Sequence, residues 1–318
     1  MGPFFLFLTT FIWGTAFLAQ KYGAAELGPF AMTVFRNVLG GGFLLLCILV
    51  RRVCVGRKTV SVGRSIVAGL CCGVPLFAAM TTQQIGIETT SPGICAFLTT
   101  NYVLFVPVLA AVVTRRFPSC KICLGALMAL VGTYLICMTG ASAGSGFAGV
   151  GKGELWSILC AFLFAVQMMV VGHFAPTADL LVMSAVQLLT CSVLGSPFLL
   201  LASEAGKIAA GGLCAAWFPL VYCGVFSSGI AYTLQNFGQA RTPPSMAAIL
   251  LSLESVFGAL SGYVVLGDRL SWGQFTGCAV VFAAVVFIQL PSRTHGQKIM
   301  TKGDAQNGKR PNGADDFL

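Results

Sequence analysis

The chain has 318 residues, of which 9% are charged and 57% hydrophobic, and its mean hydropathy is +0.87. A soluble domain needs about 25% charged residues to face water, so this composition excludes an ordinary soluble enzyme. The apolar content also excludes a disordered chain, which leaves a protein that crosses a membrane many times.

Apolar runs of about 20 residues, each enough to cross about 30 Å of hydrocarbon, follow one another along the chain. The first covers 3–22 and the second 29–50, parted by Leu27-Gly28-Pro29. The third covers 65–86, the fourth 92–114 after Ser91-Pro92-Gly93, and the fifth 119–138. The sixth, seventh and eighth cover 154–173, 180–202 and 213–237. Arg241-Thr242-Pro243-Pro244 introduces the ninth, 243–266, and the tenth covers 272–290. Inside hydrocarbon the backbone must close its own hydrogen bonds, so all ten are predicted as helices. The short alternating strands of a membrane barrel are missing. No Lys or Arg precedes the first run and no Ala-x-Ala site precedes Lys21, so this run is read as a retained helix rather than a cleaved leader. Residues 291–318 form a polar tail rich in Gly, Lys and Asp, expected to be disordered.

The net charge is +9, but the bases come in short bursts between the apolar runs. That is the loop charge of a membrane protein rather than a nucleic-acid footprint, and no nucleic-acid partner is expected. With the N-terminus in the cytoplasm, fourteen Lys and Arg fall in inner segments, among them Arg51, Arg52, Arg115, Arg116 and Arg241. Only Lys21, Lys152, Lys207 and Arg269 fall outside. This bias predicts an integral protein of the cytoplasmic membrane with both termini inside.

The two halves of the chain match each other in register. Gln83-Gln84-Ile85-Gly86 lines up with Gln235-Asn236-Phe237-Gly238. Thr90, Pro92, Ala96 and Leu98 fall on Thr242, Pro244, Ala248 and Leu250, and Phe105 and Gly125 fall on Phe257 and Gly277. Five spans per half is an odd number, so the halves enter the membrane from opposite sides. The predicted fold class is therefore an all-α integral membrane protein of ten transmembrane helices, arranged as two inverted five-helix repeats. Such repeats place a binding site at the midplane that opens to either side in turn. The expected units are residues 1–139 and 154–290. Residues 140–153 join them, a Gly-rich stretch that lacks the Gly-Lys-Ser/Thr ending of a phosphate loop and reads as a linker.

Trp13-Gly14-Thr15-Ala16-Phe17, Thr33-Val34-Phe35-Arg36-Asn37, Ala96-Phe97-Leu98-Thr99 and Val106-Pro107-Val108-Leu109 carry a further resemblance. In the second half it continues with Leu253-Glu254-Ser255-Val256-Phe257 and Leu266-Gly267-Asp268-Arg269-Leu270. On these motifs the chain resembles the EamA-type ten-helix family of the drug/metabolite transporter superfamily, over about residues 3–290. That family usually has Glu-Pro where this chain has Glu254-Ser255, and Gly-Glu where it has Gly267-Asp268. The resemblance implies a secondary transporter, often an exporter of amino acids or other small metabolites, with cytoplasmic termini.

A charge within the bilayer costs about 2.5–3.5 kcal/mol on insertion scales, so it marks a functional candidate. Two lie well within spans, Glu254 in the ninth and Arg36 in the second. They are expected to line a central cavity and to bind a charged or zwitterionic small molecule, or to cycle a proton. The competing reading is an ion pair, or a carboxylate bonded to neighbouring helices, that only fixes packing. Gln83, Gln84, Gln187, Gln235, Asn236 and Asn101 form a second tier of candidates, as do the aromatic groups Trp13, Tyr102 and Tyr232. Amides also hold helices together, and Trp and Tyr also anchor span ends. Gly69/Gly73 and Gly258/Gly262 have the spacing of close helix contacts.

Thirteen Cys lie mostly within spans, where they act as small apolar fillers. Cys120-Lys121-Ile122-Cys123 has metal-like spacing but no second pair or nearby His, so no metal or cofactor is expected. No nucleophile–base set stands out, and no acid cluster suits magnesium. A membrane-embedded enzyme or a channel is the competing class; an enzyme would need a polar cluster at one membrane face. The expected partners are the lipid bilayer, a small-molecule substrate and a coupling proton.

Overall fold

The computed structural model describes residues 1–55, 62–90, 92–138, 151–201, 204–261, 263–264 and 271–290. The tail, most of the linker, Gly262 and Gly267-Asp268-Arg269-Leu270 lie outside the described residues. Among those described the protein has no strand.

The long helices are α1 (Gly2–Leu27), α2 (Pro29–Val55) and α3 (Val62–Thr89), then α6 (Cys120–Met138), α7 (Lys152–Phe174), α8 (Leu180–Leu201) and α15 (Trp272–Gln289). By length and composition nine helical stretches among the described residues can cross a membrane, and Cys120–Ile136 is a shorter apolar tenth. All ten sit where the hydropathy places them. Large apolar side chains cover the outside, such as Val53 (78% exposed), Val112 (70%) and Val193 (69%). Water would not tolerate such a surface, whereas lipid requires it.

Three spans depart from the continuous helices expected. The fourth is broken into α4 (Pro92–Thr100) and α5 (Tyr102–Thr114), and the ninth into α13 (Pro244–Leu251) and α14 (Glu254–Ser261). The eighth is reached through two short helices, α9 (Ala205–Ala209) and α10 (Gly212–Ala215). It then runs as α11 (Trp217–Val221), a π-helical segment (Tyr222–Ile230) and α12 (Ala231–Gln239). The breaks at Asn101 and Leu253 fall 152 positions apart, the same offset that aligns the halves. Each is made the same way. The Asn101 N–H donates to Leu98 O at 3.2 Å, and the Leu253 N–H to Leu250 O at 3.3 Å. These tight three-residue turns replace the α-helical bond. Polar side chains beside them take nearby carbonyls: Asn101 Nδ2 donates to Leu98 O at 3.1 Å, the carbonyl its own N–H uses, and Ser252 Oγ to Ile249 O at 2.7 Å, the carbonyl the Leu253 N–H would take in an α-helix.

The helix pairs form matched sets. α3 packs on α7 and α8, while the eighth span packs on α1 and α2; α2 pairs with α8, and α6 with α15. Glycines permit the closest approaches. A methyl group added at Gly69 would sit 2.6 Å from Val186 Cβ, and one at Gly73 2.6 Å from Thr190 Cβ. One at Gly40 would sit 2.6 Å from Gly224 O, so α2 and the π-helical segment touch backbone to backbone.

α2 is held at both ends, by Asp179 just before α8 and by Glu204 just before α9. At one end Arg51 donates from Nη1 and Nη2 to Asp179 Oδ1 and Oδ2 at 2.9 and 2.7 Å. At the other, Glu204 accepts the Phe30 and Ala31 N–H groups at 3.3 and 2.7 Å. Burial alone would raise the Asp179 carboxyl, but the Arg51 hydrogen bonds and charge, with the Val182 and Leu181 amides, outweigh it and hold the group below the ordinary carboxylate range. A depressed folded-state pKa stabilises above the unfolded value and loses that contribution as pH falls through the folded one. A double-mutant cycle on Arg51→Gln and Asp179→Asn, read by unfolding in detergent, should give a coupling of about 0.5–1 kcal/mol at neutral pH. It should fade below about pH 4; a coupling that persists unchanged in acid would contradict the ion pair.

Candidate functional site

Seven of the eleven residues singled out from the sequence line one cavity at the centre of the bundle: Trp13, Arg36, Gln83, Tyr102, Tyr232, Gln235 and Glu254. They come from α1, α2, α3, α5, α12 and α14, so both halves contribute. Gln20, Thr99, Ser227 and Met168 also line it; as small or neutral residues they carry no site signal of their own in an apolar run.

Glu254 is 4% exposed and opens α14, where the helix N-terminus favours a negative group. Tyr102 donates to Glu254 Oε1 at 2.9 Å. Thr100 Oγ1 lies 3.4 Å from the same oxygen but also bonds Ala96 O at 2.8 Å. A hydroxyl has one proton, so Tyr102 is the main donor. Tyr102 and Glu254 are themselves 152 positions apart. The two helix breaks thus place equivalent first residues of two half-helices in contact.

Arg36 is 2% exposed and does not pair with Glu254. It donates from Nε to Ser228 Oγ, from Nη1 to Gln20 Oε1 and from Nη2 to Ser227 Oγ, each at 3.0 Å. Trp13 Nε1 donates to Ser227 O at 3.0 Å, and its ring lies 4.9 Å from that of Tyr232. Of the two packing roles weighed above, the ion pair between these residues is not formed, while hydrogen bonds from a neighbouring half-helix do hold the carboxylate.

The other candidates sit off the cavity lining. Asn101 bonds back to its own helix and makes the break. Asn236 donates to Ser184 Oγ at 2.8 Å. Gln84 and Gln187 are fully buried, and among the described residues neither amide finds a partner. Within the lining, Gln235 Nε2 donates to Gln167 Oε1 at 3.3 Å. Cys120 and Cys123 are exposed free thiols, and no metal-holding cluster occurs among the described residues.

The cavity leaves about 30 Å³ for the centres of water molecules, space for roughly two waters. A second cavity, with about 550 Å³ by the same measure, is lined by Pro107, Thr114, Arg116, Met169, Pro244 and Met246. Both use α7 and α13: Met168 and Leu251 face the first, Met169 and Met246 the second.

Tyr102→Phe removes the main donor to a buried carboxylate. It should lower stability by about 1.5–3 kcal/mol, measured as a drop in unfolding temperature in detergent. Thr100→Val should lower it less. An unchanged unfolding temperature for Tyr102→Phe would mean that this bond does not hold Glu254.

Comparison with known proteins bears on both halves. Residues 1–138 and 151–290 match the EamA-like transporter family. An uncharacterized transporter of Archaeoglobus fulgidus is 25% identical over 285 residues, 90% of this chain and 84% of its own. A probable terminal-alkyne amino-acid exporter of Streptantibioticus cattleyicolor is 33% identical over 96 residues, 28% of this chain and 32% of its own. The crystal structure of another protein, 21% identical, matches with a TM-score of 0.73 over 95% of this chain and 99% of its own, a likeness of fold. With its apolar helices, its lipid-suited surface and a match that runs through both halves, this multi-pass membrane protein belongs to the EamA-like transporter family.

Proposed function

We propose that the protein is a secondary transporter that moves a small polar metabolite, an amino acid, an amine or a related compound, out across the cytoplasmic membrane by alternating access. The observation that carries this reading is the central cavity. Both halves line it, and it holds a buried cation and a buried carboxylate that do not neutralise each other. A purely structural pair would be brought into contact, because each lone ion in the membrane is costly.

The cavity is too small for a metabolite as it stands, so the reading requires it to widen. The second cavity supports a route, because it is lined by the same two helices, α7 and α13. In this reading the halves, residues 1–139 and 154–290, are inverted repeats that rock about the cavity, and the recurrent 152-residue offset of the helix breaks supports it. Both termini are cytoplasmic, as the loop charges suggest. Relatives named as transporters point away from an enzyme, and the reading includes no chemistry on the substrate.

Glu254 takes the substrate's positive group or a coupling proton in turn. In proteoliposomes, Glu254→Gln should slow substrate counterflow by about tenfold or more, equivalent to roughly 1.4 kcal/mol of lost interaction, and should flatten its pH dependence. Counterflow with unchanged rate and pH profile would remove Glu254 from the cycle. Downhill flux without counterflow in the unaltered protein would favour a channel.

A further inference from the structure

The surroundings of Arg36 say more about the substrate than its charge does. Its three acceptors, Gln20 Oε1, Ser227 Oγ and Ser228 Oγ, are all neutral oxygens. They orient the guanidinium without cancelling its charge. Arginine carries five N–H groups, and these bonds use three. The serines take the Nε and Nη2 side, and Gln20 takes one hydrogen of Nη1. One N–H on each terminal nitrogen remains, and an anion such as a carboxylate can accept from them.

The elements around it are built for this clamp. Gly40 and Gly224 let α2 touch the π-helical segment, and that segment presents the successive residues Ser227 and Ser228 to a single side chain. Such segments mark functional places in helices more often than chance. Trp13 holds the same turn through Ser227 O. Arg36, Gln20, Ser227 and Trp13 all line the cavity.

We infer that Arg36 is the anion-reading group of the cavity, that the transported molecule must present a carboxylate to it, and that Gln20, Ser227 and Ser228 are positioning residues for its guanidinium. This rests on the transporter reading and narrows it. An amine without a carboxylate would bring a second cation beside Arg36 and leave its two N–H groups unpaired. Lysine cannot replace arginine here, because its three donors would be used up by Gln20, Ser227 and Ser228, leaving none for an anion.

The test uses the purified full chain and three matched probe sets: the L-amino acids, their carboxamides, and the primary amines that share their side chains. Binding is read by thermal shift and exchange by counterflow in proteoliposomes. Acids should bind at least about tenfold more tightly than amides or amines. Arg36→Lys and Arg36→Gln should erase that preference. Ser227→Ala with Ser228→Ala should weaken binding of the acids and spare that of the amides, a pattern that a general loss of folding would not give. Amides or amines that bind and exchange as well as acids would overturn the carboxylate assignment and leave the carrier intact, and so would an acid preference that survives Arg36→Gln. No exchange of any probe by the unaltered protein would count against both this inference and the transporter reading.

Discussion

An arginine held inside hydrocarbon with no acid beside it constrains much of what surrounds it. Exposure of its charge to lipid is excluded, so the helices must bring oxygen atoms to it. Gln20 comes from the first span, and the serines come from the eighth. The eighth span reaches Arg36 only because two glycines remove the side chains that would hold the backbones apart. The polar centre and a backbone-to-backbone helix contact are thus one feature.

The carboxylate is handled differently. Two helices in equivalent places are interrupted, and each break leaves the first residue of a new half-helix at the cavity. One residue is the acid and the other is the phenol that bonds it. The pair sets a donor from one half-helix against an acceptor from the other.

Much of this architecture can be read from the sequence, because hydrocarbon imposes length and apolarity on every span. Arg36 and Glu254 stand out for the same reason: a charge in such a run is costly and needs partners or a function. The helix breaks are less visible. Asn101 and Ser252 are ordinary residues within apolar stretches, and their back-bonding depends on local geometry that composition does not report. Gln20, Ser227 and Ser228 escape notice because a neutral residue reveals its role only when a charged partner from another helix meets it. One signal was available in the register of the two halves, which sets Tyr102 opposite Glu254. Gln84 and Gln187, equally prominent as buried amides, lie off the cavity lining, since sequence shows that a side chain is polar but not which neighbour its helix face meets.

The central claim is that one cavity, with Arg36 and Glu254 in its wall, opens to the two sides of the membrane in turn. Accessibility of a single cysteine tests it most directly. Gln83→Cys, in a chain whose native cysteines are replaced, would be treated with a membrane-impermeant thiol reagent from each side of sealed vesicles. The account predicts labelling from both sides, and slower labelling from both when a transported compound is present. Labelling from one side alone, whatever the substrate or gradient, would contradict it.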